Sequence, residues 1–278
     1  MGGLRRVGTI IGYEWRRALA KKKILALIIL AIAFQTLIMV AFSRFVGTMF
    51  LSNEAGSFMW ILGVLEGQGL FVQLIAIMVA GGSMSEEYEH GTADILLSKP
   101  ITRVEYMCGK FLGGFSLLAM IEALTTSVGV VLSLWFFGAQ TGLQFAPLMF
   151  LAMVYSSLIF FCLSFMFSEV FRGSTLAMLM AFGILIASSV IGPILTALYS
   201  ISGQHLYVDL GRGIPTWAAT SFPSLLMSEL MTAPRTLLPG ADSEALYQAA
   251  IIIAVYAVIF IVIAAYRLLK SDVTKKTA

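Results

Sequence analysis

Six long apolar runs constrain this sequence more than any other feature. They cover residues 24–45, 60–82, 111–137, 145–167, 175–199 and 247–266. A helix needs about 20 residues to cross the hydrocarbon of a bilayer, so each run is long enough to span a membrane. Only helices and closed barrels satisfy their backbone groups in lipid, and barrel strands are much shorter than these runs. The sequence therefore predicts an all-α fold, with six transmembrane helices in a single domain over residues 1–278.

Composition excludes a water-soluble protein. Of the 278 residues, 59% are hydrophobic and 12% are charged, whereas soluble domains carry about 25% charged residues. The net charge of +3 does not indicate a nucleic-acid partner, because the basic residues flank apolar runs instead of sharing one polar face. The expected surroundings are a lipid bilayer.

Lysine and arginine are divided unequally between the two ends of the predicted helices. The side that holds both termini carries 15 of the 18: Arg5, Arg6, Arg16, Arg17, Lys21, Lys22, Lys23, Lys99, Arg103, Lys110, Arg172, Arg267, Lys270, Lys275 and Lys276. The other side carries Arg44, Arg212 and Arg235. Since translocated loops avoid basic residues, both termini, including the tail 267–278, and the two internal loops, 83–110 and the one that carries Arg172, are predicted to be cytosolic. The predicted location is the cell membrane.

The few cysteines and histidines do not indicate a disulfide framework or a metal site. Cys108 and Cys162 both fall near the predicted cytosolic side, and both are expected to be small buried hydrophobes. His90 and His205 are too few and too far apart for a metal centre. No pairing of nucleophile and base stands out, so no catalytic residue is predicted.

The basic N-terminal segment, residues 1–22, has a mixed pattern. Within residues 7–20, Ile10, Trp15 and Leu19 alternate with Arg16 and Arg17, which favours a helix lying in the headgroup layer. An ordinary basic flank is the alternative. Because the first apolar run has no small-residue cleavage signature after it, we expect it to stay as an anchor rather than to be removed as a signal peptide.

The segment 201–246 is the only sizeable external feature. Its four prolines are Pro215, Pro223, Pro234 and Pro239. Trp217, Phe222 and their apolar neighbours are too many for a freely solvated loop, so re-entrant or short helices dipping into the outer membrane face are expected. A small folded cap outside the membrane is the alternative. Before this segment, Gly192 and Pro193 predict a break at the end of the fifth run.

The loop between the second and third runs reads SEEYEHGTADILLSKPITRVEYMCGKF over residues 85–111. Its acidic residues Glu86, Glu87 and Glu89 are predicted to extend the second helix into water. Gly91 takes the left-handed conformation that ends a helix. Thr92 is then a good N-cap, and Asp94 lies in a first turn where the helix dipole favours an anion. A second, short helix is predicted to begin here.

That short helix has a predicted end and a predicted exposed surface. Pro100 biases Lys99 away from helix, and Thr102 with Glu105 forms a capping box that begins the third transmembrane helix. About two turns of helix are marginal alone in water. Three consecutive apolar residues, Ile95, Leu96 and Leu97, would face the cytosol. Residues 92–99, the docking segment, are therefore predicted to bind a partner protein.

The residues of this loop resemble those of a known family. Glu86-Glu87, Gly91-Thr92, Leu96-Leu97, Lys99-Pro100-Ile101, Arg103, Tyr106 and Lys110 resemble the permease subunits of type-2 ATP-binding-cassette (ABC) exporters. Within that class the loop is most similar to the branch that serves nitrous-oxide-reductase maturation and gliding motility. The resemblance covers about 25 residues here and otherwise rests on the six-run topology, the N-terminal segment and the last outer loop.

The resemblance implies a role for each of these parts. Residues 92–99 would be a coupling helix seated in a cleft of a separate ATPase subunit, residues 7–20 a connecting helix, and residues 201–246 re-entrant helices. The ATPase-docking residues implied by it are Glu86, Glu87, Gly91, Thr92, Asp94, Ile95, Leu96, Leu97, Lys99, Pro100 and Arg103.

The same resemblance implies a permease subunit of an exporter that works as a dimer of permeases, either two copies of this chain or one with a paralogue. An ABC ATPase dimer would drive it. The chain has no phosphate loop, because Phe111 follows Gly109-Lys110 and Val104 stands where the first glycine is required. It is therefore not expected to be an enzyme or to bind a cofactor, and ATP with Mg belongs on the partner. ATP-driven closure of the ATPases would rotate the spans between inward-open and outward-open states.

Three polar residues lie deep inside the predicted spans. Gln35, Gln73 and Glu122 are roughly 16, 14 and 16 Å from the cytosolic ends at 1.5 Å per residue. One hypothesis is that they form a layer lining the pathway or the dimer interface, with Glu122 protonated. The alternative is a hydrogen-bonded packing cluster. Nearer the outer face, Arg44 and Glu66 are predicted to pair.

Two other classes of function remain open on the sequence alone. One is an ion-coupled secondary transporter or channel with Glu122 as its coupling residue. Such transporters often contain repeats or paired broken helices, and this sequence shows one break. The other class is a membrane scaffold that uses the same docking segment. The glycine pairs 63/67 and 109/113 have the spacing that permits close helix contact. No composition selects a substrate.

Overall fold

The computed structural model describes residues 3–46, 57–92, 101–231, 238 and 242–270. The described residues form helices and short turns, without a strand. Six of the helices are long and apolar enough to cross a membrane. The prediction of an all-α membrane protein with six spanning helices is confirmed.

Ten α-helices follow one another along the described chain. They are α1 (Gly3–Leu19), α2 (Lys22–Ala41, continued by a π-helical turn Phe42–Val46), α3 (Met59–Gly81), α4 (Ser85–Glu89), α5 (Arg103–Phe137), α6 (Ala146–Phe171, preceded by a 3₁₀ turn Leu143–Phe145), α7 (Ser174–Ser202), α8 (Leu206–Arg212), α9 (Pro215–Leu230) and α10 (Ser243–Lys270). The long helices α2, α3, α5, α6, α7 and α10 correspond to the six apolar runs.

Helix α6 is the centre of the bundle. It packs against α3, α5, α7, α9 and α10. Its Phe161 and Phe165 meet Phe111 of α5 edge to face, with ring centroids 5.3 and 5.5 Å apart. The peripheral helices expose large apolar side chains instead, such as Leu179 of α7 and Ile251 of α10. A surface of exposed apolar side chains is expected for a protein that is surrounded by lipid instead of water.

Both glycine pairs lie where two helices approach closely. A Cβ atom on Gly67 of α3 would stand 2.6 Å from Gln35 Cγ of α2. On α5, a Cβ atom on Gly109 or Gly113 would stand 2.8 Å from the Cβ atom of Ile10 or Glu14 in α1. The prediction of close contact is therefore confirmed: the glycines let α2 pack on α3 and α1 pack on α5.

The predicted break in the fifth span is wrong. Helix α7 continues through Gly192 and Pro193 to Ser202. Proline removes one backbone donor and crowds the carbonyl four residues earlier. The carbonyl that loses its donor is that of Ser189, while the nearby hydroxyls of Ser189 and Thr196 donate to the Leu185 and Gly192 carbonyls. Proline is nevertheless more readily tolerated in a membrane helix than in a soluble one.

The outer segment contains α8 and α9, joined by a turn at Gly213. The Tyr256 hydroxyl donates to the Gly213 carbonyl at 2.9 Å, and Tyr256 lies near the middle of α10. The turn therefore reaches about halfway along the bundle. Pro215 occupies the first turn of α9, and Pro223 lies within that helix. The outer segment thus contains short helices, and the turn between them lies against the middle of α10. Pro234 and Pro239 lie outside the described residues.

Two smaller predictions fail. Cys162 is buried as predicted, but Cys108 is exposed on the surface of α5, and both thiols are free. Arg44 and Glu66, which are both among the described residues, form no ion pair with each other. Because Gln35 lies against Gly67, Glu66 is level with Gln35. Arg44 is nine residues farther along α2, about 13 Å away along the helix axis.

Candidate functional site

Polar and charged side chains gather at one end of the bundle, here named the basic end. It is formed by α1, residues 82–92, the first turns of α5 and the end of α10. The guanidinium of Arg103, in the first turn of α5, donates to the Leu268 carbonyl of α10 at 2.8 Å. Helix α1 and the last turns of α10 thus lie at the same end as the loop between α3 and α5.

Four side chains form a buried charge cluster at this end: Glu14, Arg17, Glu87 and Lys110. The Lys110 ammonium is fully buried. It lies 2.5 Å from Glu14 Oε1 and also contacts Glu87 Oε1. Arg17 donates to Glu14 Oε2 at 2.7 Å and to Glu87 Oε1 at 3.2 Å. Two cations therefore balance two carboxylates, which is the condition for burying charge without a large penalty.

Local sequence explains how these groups come together. Glu14 and Arg17 are three residues apart and share one face of α1. Gly109 and Gly113 flank Lys110 by one and three residues, and they let that face approach α5 closely. Arg17 also donates to the Gly82 and Ser83 carbonyls at 3.2 Å each. A cation at the carboxyl end of α3 complements its helix dipole.

The cluster is extended by Lys21 and Thr92. Lys21 lies 2.6 Å from Glu86 Oε1. Burial lowers the pKa of Lys21, and the hydrogen bond to Glu86 opposes that shift. The Thr92 hydroxyl donates to Glu87 Oε2 at 3.1 Å. Gly91 has a φ of 66°, so the predicted left-handed end of this helix is confirmed. Each acidic residue at positions 86 and 87 is thus held by a basic side chain from α1, α5 or the turn between α1 and α2.

A second set of contacts ties α4 to the opposite side of the bundle. The Glu89 carboxylate accepts from the Ser174 amide at 2.7 Å, at the start of α7. The Tyr88 hydroxyl donates to Glu169 Oε2 of α6 at 2.9 Å. Arg172 stacks over the Tyr88 ring at 4.7 Å. Helix α4 therefore contacts α1, α5, α6 and α7 through three consecutive residues, Glu87, Tyr88 and Glu89.

The residues that follow the docking segment in the chain are also held by hydrogen bonds. The predicted capping box is confirmed: the Glu105 amide donates to the Thr102 hydroxyl at 3.1 Å, and the Thr102 amide donates to Glu105 Oε2 at 2.9 Å. The remaining predicted docking residues, Asp94, Ile95, Leu96, Leu97, Lys99 and Pro100, lie outside the described residues. The described ones are held at two places: Glu87 pairs with Arg17 of α1 and Lys110 of α5, and Arg103 donates to the end of α10.

Sequence reasoning missed the buried contacts among Glu14, Arg17 and Lys110. It interpreted the segment that carries Arg17 as a helix in the headgroup layer and Lys110 as a topology signal. One available signal was the pair of glycines around Lys110, which indicates that another helix covers this face of α5. The sequence does not reveal which helix does so.

The three intramembrane polar residues are all buried, but they do not hydrogen-bond to one another. Gln35 donates to the Gly63 carbonyl at 3.1 Å. Both carboxyl oxygens of Glu122 and the amide oxygen of Gln73 have no hydrogen-bond partner in the described part of the chain. Between α3 and α5, the Thr126 hydroxyl donates a hydrogen bond to Gln68 Oε1 at 3.4 Å.

Glu122→Met is expected to raise the free energy of unfolding by about 1–3 kcal/mol, because it removes a buried polar group that has no partner. The measurement is an SDS titration of the purified protein in mixed micelles. Glu229→Met, at an exposed position, is the matched control and should change stability by less than about 0.5 kcal/mol. A clear loss of stability in Glu122→Met would mean that the carboxyl is satisfied in the membrane-embedded protein.

Comparison with known proteins is consistent with this architecture. A family model described as "ABC-2 family transporter protein" matches residues 8–273. The match therefore extends from α1 through all six spanning helices. A search of curated proteins finds no match.

Proposed function

Because the chain belongs to the ABC-2 family of transporter proteins, we propose that this multi-pass membrane permease is half of an exporter, forms its pathway as a dimer and is driven by separate ATPase subunits. The observation that carries the proposal is the buried charge cluster at the base of the docking segment. A permease without its own phosphate loop needs a mechanical connection to its ATPase. The cluster supplies one between residues 93–100 and the spanning helices.

The connection runs through α4. Glu87 joins it to α1 and α5 through Arg17 and Lys110. Glu89 joins it to the first residue of α7. A displacement of the docking segment by a closing ATPase dimer would move α3 and α5 together with α1, because buried ion pairs and close-packed glycine contacts resist local deformation. Motion at the partner thereby becomes rotation of whole helices.

The basic end faces the cytosol in this proposal. Its excess of lysine and arginine is the signature of the untranslocated side, and ATP with Mg is available there to the partner subunits. The membrane is the cell membrane. Helices α8 and α9 then enter the bilayer from the outer side as re-entrant helices, and α1 lies at the inner headgroup layer with its exposed residues Arg5 and Arg16 turned toward lipid.

The loop residues place the chain, within our proposal, near the branch that serves nitrous-oxide-reductase maturation and gliding motility. The second permease is either another copy of this chain or a paralogue. Family membership argues against an ion-coupled transporter with Glu122 as its coupling residue, and against a scaffold that transports nothing.

The direct test is co-purification of the chain with an ABC ATPase subunit in detergent. A stable complex that hydrolyses ATP supports the proposal. Transport that persists without any ATPase subunit and follows an ion gradient would contradict it and favour the ion-coupled alternative.

A further inference from the structure

A cavity of about 400 Å³ lies between α3, α6, α7 and α9, with Phe34 of α2 at one side. Gln73 and Leu185 line it, and both lie roughly 12–17 Å from the basic ends of their helices at 1.5 Å per residue. The cavity is therefore near the middle of the bundle. Its size is within the range of cavities that bind small organic ligands.

Four hydroxyl groups that line the cavity donate hydrogen bonds to backbone carbonyls of their own helices. Ser156 donates to the Met153 carbonyl, Ser189 to the Leu185 carbonyl, Thr220 to the Thr216 carbonyl and Ser224 to the Ser221 carbonyl. Each hydroxyl oxygen keeps lone pairs but has used its proton. The hydroxyls of these four lining residues therefore offer hydrogen-bond acceptors to a ligand.

Two further groups add acceptors, of which Gln73 also carries the two N–H donors of its amide. Gln73 lines the cavity with 3% of its surface exposed, and its amide oxygen is a buried acceptor with no partner among the described residues. Glu66 adds a carboxylate. Of the described residues that line this cavity, none is Lys, Arg or His. The remaining wall is largely apolar and includes the aromatic rings of Phe34 and Phe160, a residue type whose ring attracts cations.

A neighbouring cavity of about 1050 Å³ shares Ser189, Thr216, Thr220 and Ser224 with the first. It differs in charge, because Arg212 lines it. The acceptor-rich, acidic character is thus a property of the smaller cavity and not of the whole region.

We infer that the cavity lined by Glu66 and Gln73 binds a hydrophobic organic cation that carries N–H donors. The apolar rings accommodate its body, the acceptors take its N–H groups, and Glu66 balances its charge. This names the substrate class of the proposed exporter, and its role in transport rests on that function. Binding itself needs neither ATP nor the partner.

The test uses the purified chain in phosphatidylcholine nanodiscs, without an ATPase subunit. Ethidium, a planar cation with two amino groups, is titrated by fluorescence, and the anion 1-anilinonaphthalene-8-sulfonate serves as a probe of similar size. We expect saturable ethidium binding that weakens about tenfold in Glu66→Gln and about fivefold in Gln73→Leu. Glu229→Gln, which removes an exposed carboxylate outside the cavity, should bind like the wild type.

The variant Glu66→Lys tests whether reversing the charge at this position changes which probe ion binds. It should abolish ethidium binding and permit binding of the anion, while the variant elutes as the wild type does. Ethidium affinity that is unchanged in both Glu66 variants, or anion binding to the wild type as tight as ethidium binding, would overturn the inference. Since no ATPase enters the measurement, its failure leaves the proposed exporter function intact, and a failure to co-purify with an ATPase leaves this binding result intact.

Discussion

Replacing Lys110 by methionine is expected to lower the free energy of unfolding by about 3–5 kcal/mol, because it leaves Glu14 and Glu87 buried with one cation between them. Lys110 is fully buried, so solvent cannot take over its role. Methionine has nearly the same length and fills the space, so the loss reports charge rather than volume. The measurement is an SDS titration in mixed micelles, followed by helical circular dichroism.

Two companion variants separate the ion pairs from other effects. Lys23→Met makes the same chemical change at an exposed position of α2 and should change stability by less than about 0.5 kcal/mol. The double variant Lys110→Met, Glu87→Gln again has one cation and one anion, Arg17 with Glu14, and should recover at least half of the loss. A double variant as unstable as the sum of its two single variants would show that the four charges do not act as a unit.

Gly67→Leu is expected to cost about 2–3 kcal/mol, because it overpacks the contact between α2 and α3. Even the first added carbon would lie 3.0 Å from the Gln35 Cβ atom and 3.3 Å from its Cα atom. The Cα atom belongs to the backbone, so α2 as a whole has to move outward. The same SDS titration measures the change.

Gly69 supplies a closely matched control on the same helix. A Cβ atom there meets nothing within 4 Å, and leucine is a better helix former than glycine. Gly69→Leu should therefore be neutral or slightly stabilising. Equal destabilisation by the two substitutions would contradict a close contact at Gly67 and indicate a general intolerance of bulk on α3.

Much of the fold follows from physics that acts within one segment. Run length and the absence of water in the bilayer determine six helices, and the hydrogen bonds between Thr102 and Glu105 determine where α5 begins. The error at Gly192-Pro193 has the same origin: the rule about proline is local, whereas the lack of competing water in a bilayer allows α7 to continue through it.

The candidate site was less predictable because its parts are far apart in sequence. Glu14 and Lys110 are separated by 96 residues, and each has an ordinary explanation as a flanking charge. Glycine spacing indicates that a face is covered but not by which helix. The prediction that Glu86 and Glu87 extend the second helix into water is wrong for Glu87, which is buried, and both residues pair with Lys21, Arg17 or Lys110 at the basic end.

The central claim is that residues 92–99 dock on an ATPase, and co-purification of the chain with an ABC ATPase subunit is the most direct test. The comparison is between the wild type and the double variant Leu96→Asp, Leu97→Asp, with Leu269→Asp at an exposed position of α10 as a control for added charge. The account predicts a stable complex with ATPase activity for the wild type and the control, and its loss in the double variant. A double variant that still binds the ATPase and supports hydrolysis at the wild-type rate would contradict it.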